Sequence, residues 1–140
     1  MWRMMIYGAV MWVIAIYAFR RGGWAEKLAA SGIVANSYLT ALLVGPVDVM
    51  YQRIELEVAL LDLGLLFLLG FIALRSRKFW PMWVAAFQGM AVLGHLAPYV
   101  HASPWIYNRA VALWSWVMWI VLGFAVYRHH LPKGGLPDRA

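Results

Sequence analysis

The chain has 140 residues, of which 64% are hydrophobic and only 13% charged, and it has no cysteine. Soluble domains carry about 25% charged residues, so this composition predicts a membrane protein. The lack of thiols excludes disulfides, cysteine nucleophiles and cysteine-ligated metals. The formal charge of +6 does not indicate a nucleic-acid partner, because the basic residues flank apolar segments instead of forming a stripe.

Five apolar stretches approach the length of about 20 residues that an α-helix needs to cross hydrocarbon. They predict an all-α membrane protein, a single bundle of five transmembrane helices with the N-terminus outside and the C-terminus in the cytoplasm. A short flexible tail is expected over 128–140, because it contains two prolines and two glycines. The predicted spans are 4–19, 28–44, 54–74, 79–98 and 105–127.

The first stretch follows Arg3 and ends at Arg20 and Arg21. A signal peptide also has a basic start and a short apolar core, but here the stronger positive charge follows the core. No convincing small-residue cleavage site comes directly after it. A retained span is therefore predicted, with the Arg3 side chain reaching outward to the interface.

The second stretch contains several polar residues, so a re-entrant segment beside four spans is the alternative. The distribution of Lys and Arg favours a full crossing, because cytoplasmic loops collect these residues. With five spans, nine basic residues lie on the cytoplasmic side and three on the other. The nine are Arg20, Arg21, Lys27, Arg75, Arg77, Lys78, Arg128, Lys133 and Arg139, and the three are Arg3, Arg53 and Arg109.

The third stretch carries three carboxylates, Glu55, Glu57 and Asp62. At 1.5 Å per residue from Ile54, both glutamates lie near the outer interface, whereas Asp62 lies roughly 12 Å down. A charged side chain at mid-bilayer costs at least about 2.5 to 3.5 kcal/mol. Asp62 is therefore the carboxylate that requires a partner inside the bundle.

The fourth stretch runs in the opposite direction and brings polar residues to similar depths. Counted from its outer end, His95 falls near the level of Glu57, and Gln88 falls near Asp62. Asn36 and Tyr38 of the second stretch supply further candidate partners. The predicted polar cluster, taken as an ion pathway or ligand site, comprises Asp62, Gln88, His95, Glu57, Asn36 and Tyr38.

This cluster has two interpretations. Hydrogen bonds between spans hold small bundles together, so the cluster can be structural. A buried aspartate with a histidine at the mouth of the same hairpin can also bind or pass a proton or small cation. The inner half of the third, fourth and fifth stretches offers no ionisable group to continue such a path.

Other chemistry receives less support from the sequence. Trp114, Trp116 and Trp119 either pack against lipid and neighbouring helices or form a ring-stacking pocket for a quinone, sterol or other apolar ligand. Adjacent His129 and His130 point apart on a helix and predict a cytoplasmic anchor, not a metal site. No cofactor is predicted, since haem needs facing histidines on two spans. No hydrolase or metalloprotease motif is present, although an enzyme acting on lipid or isoprenoid substrates stays open.

At FWPMWVAAFQ and GHLA the chain resembles a group of small bacterial inner-membrane proteins. Members share a basic turn of the R-S-R type, an F-W-P-x-W helix, a later F-Q and a later histidine. The resemblance covers about Glu57 to His95 and implies a multi-pass protein of the bacterial inner membrane, without an activity.

The expected partners are the bilayer itself and anionic headgroups. Arg20, Arg21, Arg75, Arg77, Lys78 and Arg128 would contact those headgroups. A homo-oligomer or a larger membrane complex is also open, and an accessory or assembly subunit without a site of its own is the main alternative to ion binding.

Overall fold

The described part of the chain folds into α-helices. The computed structural model describes residues 2–43, 56–100 and 103–130, and within these ranges it contains no strand, which confirms the all-α prediction. The five α-helices are α1 (Trp2–Arg21), α2 (Trp24–Leu43), α3 (Leu56–Arg75), α4 (Trp80–Gly94) and α5 (Pro104–His130), with a 3-10 helix at Ala97–Val100.

The helix ends differ from the predicted spans in two places. The helix α4 ends at Gly94 and not at Pro98, because the N–H of His95 bonds to the carbonyl of Val92 and tightens the last turn. Helix α5 continues to His130, so the predicted flexible tail begins inside it. The predicted start at Ile54, the adjoining Glu55, and the tail beyond residue 130 lie outside the described residues.

Helices that follow one another in the sequence pack together, and α1 packs against α5 more extensively than against α2. The helices therefore close into a ring in which sequence neighbours run antiparallel and α1 and α5 run parallel. Its interior is filled by large side chains of α3 and α5 and by small ones of α1 and α2. The small residues let the α1 and α2 backbones approach closely; they are Ala15, Ala18, Ala25, Ala29 and Ala30.

The outer surface of the ring is apolar. Met4, Leu42 and Leu74 each keep at least 80% of their surface exposed. Among the described helices, α1 and α3 are long and apolar enough to cross a membrane, and only 17% and 28% of their most apolar segments are buried inside the protein. The other helices, α2, α4 and α5, do not meet these criteria, so the structure does not identify all five helices as membrane spans.

The alternating direction of successive helices brings most of the basic residues to one end, called here the basic end. The last turn of α1 holds Arg20 and Arg21, and the connection between α3 and α4 holds Arg77 and Lys78. Arg128 lies in the last turns of α5. Contacts from Lys78 to α2 and α5 confirm that these helix ends meet.

Candidate functional site

The Asp62 cluster lies between α2, α3 and α4, nearer the end of the bundle opposite the basic end. It consists of Asn36, Asp62, Gln88 and His95. All but Asn36 are buried, with Asp62 and His95 each 9% exposed. A carboxyl group removed from water requires hydrogen-bond donors from the protein, and three side chains provide them.

The three partners together contact both carboxyl oxygens and the backbone carbonyl of Asp62. The Asn36 amide Nδ2 donates to Oδ1 at 2.8 Å, and His95 Nε2 lies 2.7 Å from Oδ2. The Gln88 amide Nε2 donates to the Asp62 backbone carbonyl at 3.0 Å and lies 3.3 Å from Oδ1. Both carboxyl oxygens are therefore engaged, Oδ1 by two neutral amides and Oδ2 by imidazole.

The short connection between α3 and α4 places His95 and Asp62 at nearly the same level along the two helices. Asp62 lies thirteen residues before Arg75, and His95 lies fifteen residues after Trp80. These counts correspond to about 20 Å and 22 Å of helix rise from the same turn. The prediction that His95 lies at the level of Glu57 was wrong, because it assumed that the outer ends of α3 and α4 lie at the same depth.

Two predicted members lie outside the cluster. Glu57 is exposed on the first turn of α3. Tyr38 is about half exposed, and its hydroxyl accepts a hydrogen bond from Trp12 Nε1 at 2.9 Å, which joins α2 to α1. Their side chains thus face away from Asp62.

A second buried carboxylate, Glu26, lies at the basic end and was not singled out from the sequence. It is fully buried and accepts hydrogen bonds from Lys78 Nζ at 2.6 and 2.8 Å. Trp80 Nε1 donates to the same carboxylate at 3.2 Å, and Lys78 also lies 3.2 Å from His129 Nδ1. Glu26, Lys78, Trp80 and His129 form the Glu26 cluster, which ties the start of α2 to the α3–α4 connection and to α5.

Local sequence explains how Glu26 is held. It is the third residue of α2, and its Oε2 accepts the backbone N–H of Gly23 at 3.0 Å, as the acidic residue of a capping box does. Gly22 permits the preceding turn, since a Cβ there would lie 2.6 Å from the carbonyl oxygen of Ala18. The sequence signal for this cap is the glycine pair at Gly22 and Gly23, with Glu26 three residues after the second glycine.

Glu26 precedes the apolar part of α2 that begins at Leu28. Burial acts to raise its pKa, but hydrogen bonds from Lys78 and from the backbone, together with the charge of Lys78, hold the pKa of Glu26 below its ordinary value. Glu26 is therefore ionised at neutral pH. Lys78, predicted as a headgroup contact, instead neutralises a buried acid.

The remaining predicted headgroup residues have exposed side chains. The guanidinium of Arg75 lies 6.0 Å from the ring centre of Phe71, and that of Arg128 lies 5.9 Å from the ring centre of Phe124. Such stacking holds a cation over an apolar surface at the end of a helix. Arg20, Arg21 and Arg77 are likewise exposed at the basic end.

The tryptophans of α5 do not share one pocket. Trp119 is fully buried and donates through Nε1 to the hydroxyl of Tyr7 at 3.1 Å. Trp116 meets Tyr7 edge-on at 5.4 Å, and Trp114 stacks on Phe87 of α4 at 5.6 Å. These rings pack against side chains of α1 and α4, as the packing interpretation of the motif predicts.

In comparisons with known proteins, no family model, no curated protein and no solved structure matches the chain. The chemistry of the two clusters therefore carries the functional argument. Within the described residues, no group of three or more histidine and acidic side chains is arranged to hold a metal ion.

Proposed function

We propose that this chain is a five-span protein of the bacterial inner membrane whose Asp62 cluster binds and transfers a proton. The observation that carries the proposal is the 2.7 Å contact between His95 Nε2 and Asp62 Oδ2 in a buried site. Histidine is the side chain whose charge ordinarily changes near neutral pH, and an acid at hydrogen-bond distance provides a place to exchange its proton.

The membrane location is supported by the exposed apolar surface. A helix as apolar as α3 is normally buried in a soluble protein, yet most of α3 faces outward here. The gathering of Arg20, Arg21, Arg77 and Arg128 at one end supports the proposed orientation, with that end in the cytoplasm.

The ligands around Asp62 favour a proton over a metal cation. Asn36 and Gln88 both present amide N–H groups to the carboxyl oxygens. A sodium or potassium ion needs oxygen ligands and would have to displace these donors. A proton moves between His95 and Asp62 without rearranging either amide.

Proton passage through the whole bundle requires an opening step. Between the Asp62 cluster and the Glu26 cluster lie buried apolar side chains from three helices, Ile33, Leu65, Leu69 and Val84. Along α2 the two clusters are ten residues, or about 15 Å, apart. This apolar layer acts as a hydrophobic gate, so proton transfer through the bundle is slow and requires the layer to open.

The test is proton flux into proteoliposomes under an imposed pH gradient. Wild-type protein should give flux above that of protein-free vesicles, and Asp62→Asn should remove it while preserving the fold. Glu57→Gln is the matched control, because it neutralises an exposed carboxylate on the same helix and should leave flux intact. Equal flux in wild type and Asp62→Asn contradicts the proposal.

A second candidate, a non-catalytic accessory or assembly subunit, is favoured by the complete hydrogen bonding of Asp62 and the closed apolar layer. In that function the cluster only holds α2, α3 and α4 together. Absence of flux from folded wild-type protein would place this candidate first.

A further inference from the structure

Helices α1 and α5 run parallel toward the basic end and stay in register along their contact, called here the α1–α5 seam. Tyr7 meets Trp116 edge-on, with 5.4 Å between the ring centres. Seven residues later in both helices, a Cβ added at Gly123 would lie 3.6 Å from Ile14 Cδ1. Because the two contacts have equal spacing on both helices, residues that follow Ile14 and Gly123 by similar numbers lie at similar levels.

Three arginines with exposed side chains lie at the end of the α1–α5 seam and form the seam patch: Arg20, Arg21 and Arg128. Arg20 follows Ile14 by six residues, a rise of about 9 Å. Arg128 follows Gly123 by five residues, a rise of about 7.5 Å. Arg21 follows Ile14 by seven residues and therefore stays on the face of α1 that meets α5. The parallel packing of α1 and α5 thus gathers these charges at one level.

Charge complementarity favours an anionic ligand at the seam patch. Neither α1 nor α5 contains an Asp or a Glu. The carboxylate described at the basic end is Glu26, and Lys78 binds it at 2.6 Å. Arg20 and Arg128 therefore have no carboxylate on their own helices. A phosphate group matches the charge and the hydrogen-bonding geometry of guanidinium groups.

Apolar side chains lie one to two helical turns before the seam patch. The Arg128 guanidinium lies 5.9 Å from the ring centre of Phe124, which keeps 60% of its surface exposed. Ile120 lies a further turn back along α5, and Ile16 lies one turn before Arg20 on α1; both are at least half exposed. A ligand with an anionic head and an apolar tail matches both parts of this surface, whereas inorganic phosphate would match only the arginines.

We propose that the seam patch binds one anionic phospholipid, with its phosphate contacting Arg20 and Arg128 and an acyl chain lying against Phe124. The inference rests on the proposed membrane location and orientation, in which the basic end faces the cytoplasm, and it does not depend on proton transfer. Basic pockets between membrane helices on the cytoplasmic side bind anionic headgroups. The proposal separates the seam patch from the other predicted headgroup residues, of which Lys78 is engaged by Glu26.

Native mass spectrometry of the full chain in detergent tests the assignment. The protein is titrated with phosphatidylglycerol and, separately, with phosphatidylcholine of the same acyl chains, and the affinity of the first bound lipid is measured. One arginine near an anionic lipid contributes about a fivefold gain in affinity. Wild type should therefore bind phosphatidylglycerol at least about fivefold more tightly than phosphatidylcholine. Equal affinities overturn the proposal.

Two double variants locate the site. Arg20→Gln combined with Arg128→Gln should weaken phosphatidylglycerol binding at least about fivefold and leave phosphatidylcholine binding unchanged. The matched control combines Arg75→Gln with Arg77→Gln. It removes the same charge from the basic end, but from α3 and its connection to α4, across the ring from α1 and α5, and should change the affinity less than about twofold. Equal losses in the two double variants would mean general attraction to a positive surface and overturn the assignment.

Two further measurements separate the proposal from its alternatives. Inorganic phosphate in about tenfold excess should leave phosphatidylglycerol bound, because it lacks acyl chains; full displacement would identify a soluble-phosphate site and overturn the lipid assignment. The proton flux assay, performed in phosphatidylcholine vesicles, tests the proton function without the anionic lipid. If wild-type protein does not float with those vesicles, the membrane location is refuted, whereas a failed lipid titration with floating protein refutes the seam patch alone.

Discussion

Among the described residues, two carboxylates are buried, and their surroundings differ in one decisive respect. Glu26 meets a permanent cation, Lys78, together with an indole and a backbone N–H. Asp62 meets two neutral amides and one histidine. A lysine fixes the charge of its partner, whereas a histidine can exchange a proton with it. We infer that the first arrangement serves stability and the second serves proton transfer.

The largest expected effect is on stability, from Lys78→Met. This change leaves the Glu26 carboxylate buried without its cation, and it should lower the free energy of unfolding by about 3 kcal/mol. That figure lies at the low end for a broken buried pair, because the Lys78 side chain keeps 31% of its surface exposed. Thermal or denaturant unfolding in detergent measures the loss.

Glu26→Gln is the companion variant of Lys78→Met and should cost less. Removing Glu26 leaves Lys78 as the unpaired charge, and its ammonium can turn toward water, whereas Glu26 itself has no exposed surface. A larger loss in Glu26→Gln than in Lys78→Met would mean that the capping bond to Gly23 matters more than the ion pair.

The next effect compares a glycine crowded by backbone atoms, Gly22, with an uncrowded glycine, Gly64. Gly22→Ala places a Cβ 2.6 Å from a backbone oxygen that cannot move away, so it should destabilise the protein by about 1 to 3 kcal/mol. Gly64→Ala meets nothing within 4 Å and should be neutral, or stabilising by up to about 1 kcal/mol through helix propensity. Similar losses at both positions would argue against the turn described at the start of α2.

Asp62→Asn should have a small effect on stability, in contrast with Lys78→Met. The asparagine keeps the shape and an acceptor oxygen, and hydrogen bonds between membrane helices average only about 0.6 kcal/mol. We expect the free energy of unfolding to stay within about 1 kcal/mol of wild type. A loss as large as that of Lys78→Met would make the Asp62 cluster structural too.

The smallest effect is on the pH dependence of stability. Because the pKa of Glu26 lies below its ordinary value of 4.5 in the folded protein, its contribution is complete above that pH and is lost as the pH falls through the folded value. Wild type should therefore lose more stability on acidification than Glu26→Gln. Parallel pH curves for the two proteins would show that Glu26 is not the group responsible.

Much of this arrangement follows from the sequence, and the exceptions have physical reasons. Apolar length predicts five helices, and the isolation of Asp62 predicts that it needs partners. Counting from the outer ends misplaced His95, because the outer ends of α3 and α4 do not lie at the same depth. The four-residue connection before Trp80 instead fixes how α3 and α4 align. The sequence does not indicate the burial of Glu26, because its partner Lys78 lies 52 residues away in a basic connection that is typical of a cytoplasmic loop.

The most direct test of the contrast is the proton flux of Asp62→Asn and Glu26→Gln, measured side by side in proteoliposomes under one imposed pH gradient. We predict that folded Asp62→Asn shows no flux above protein-free vesicles and that folded Glu26→Gln keeps the flux of wild type. Flux that persists in Asp62→Asn and disappears in Glu26→Gln, or flux that neither substitution changes, would contradict the assignment of proton transfer to the Asp62 cluster.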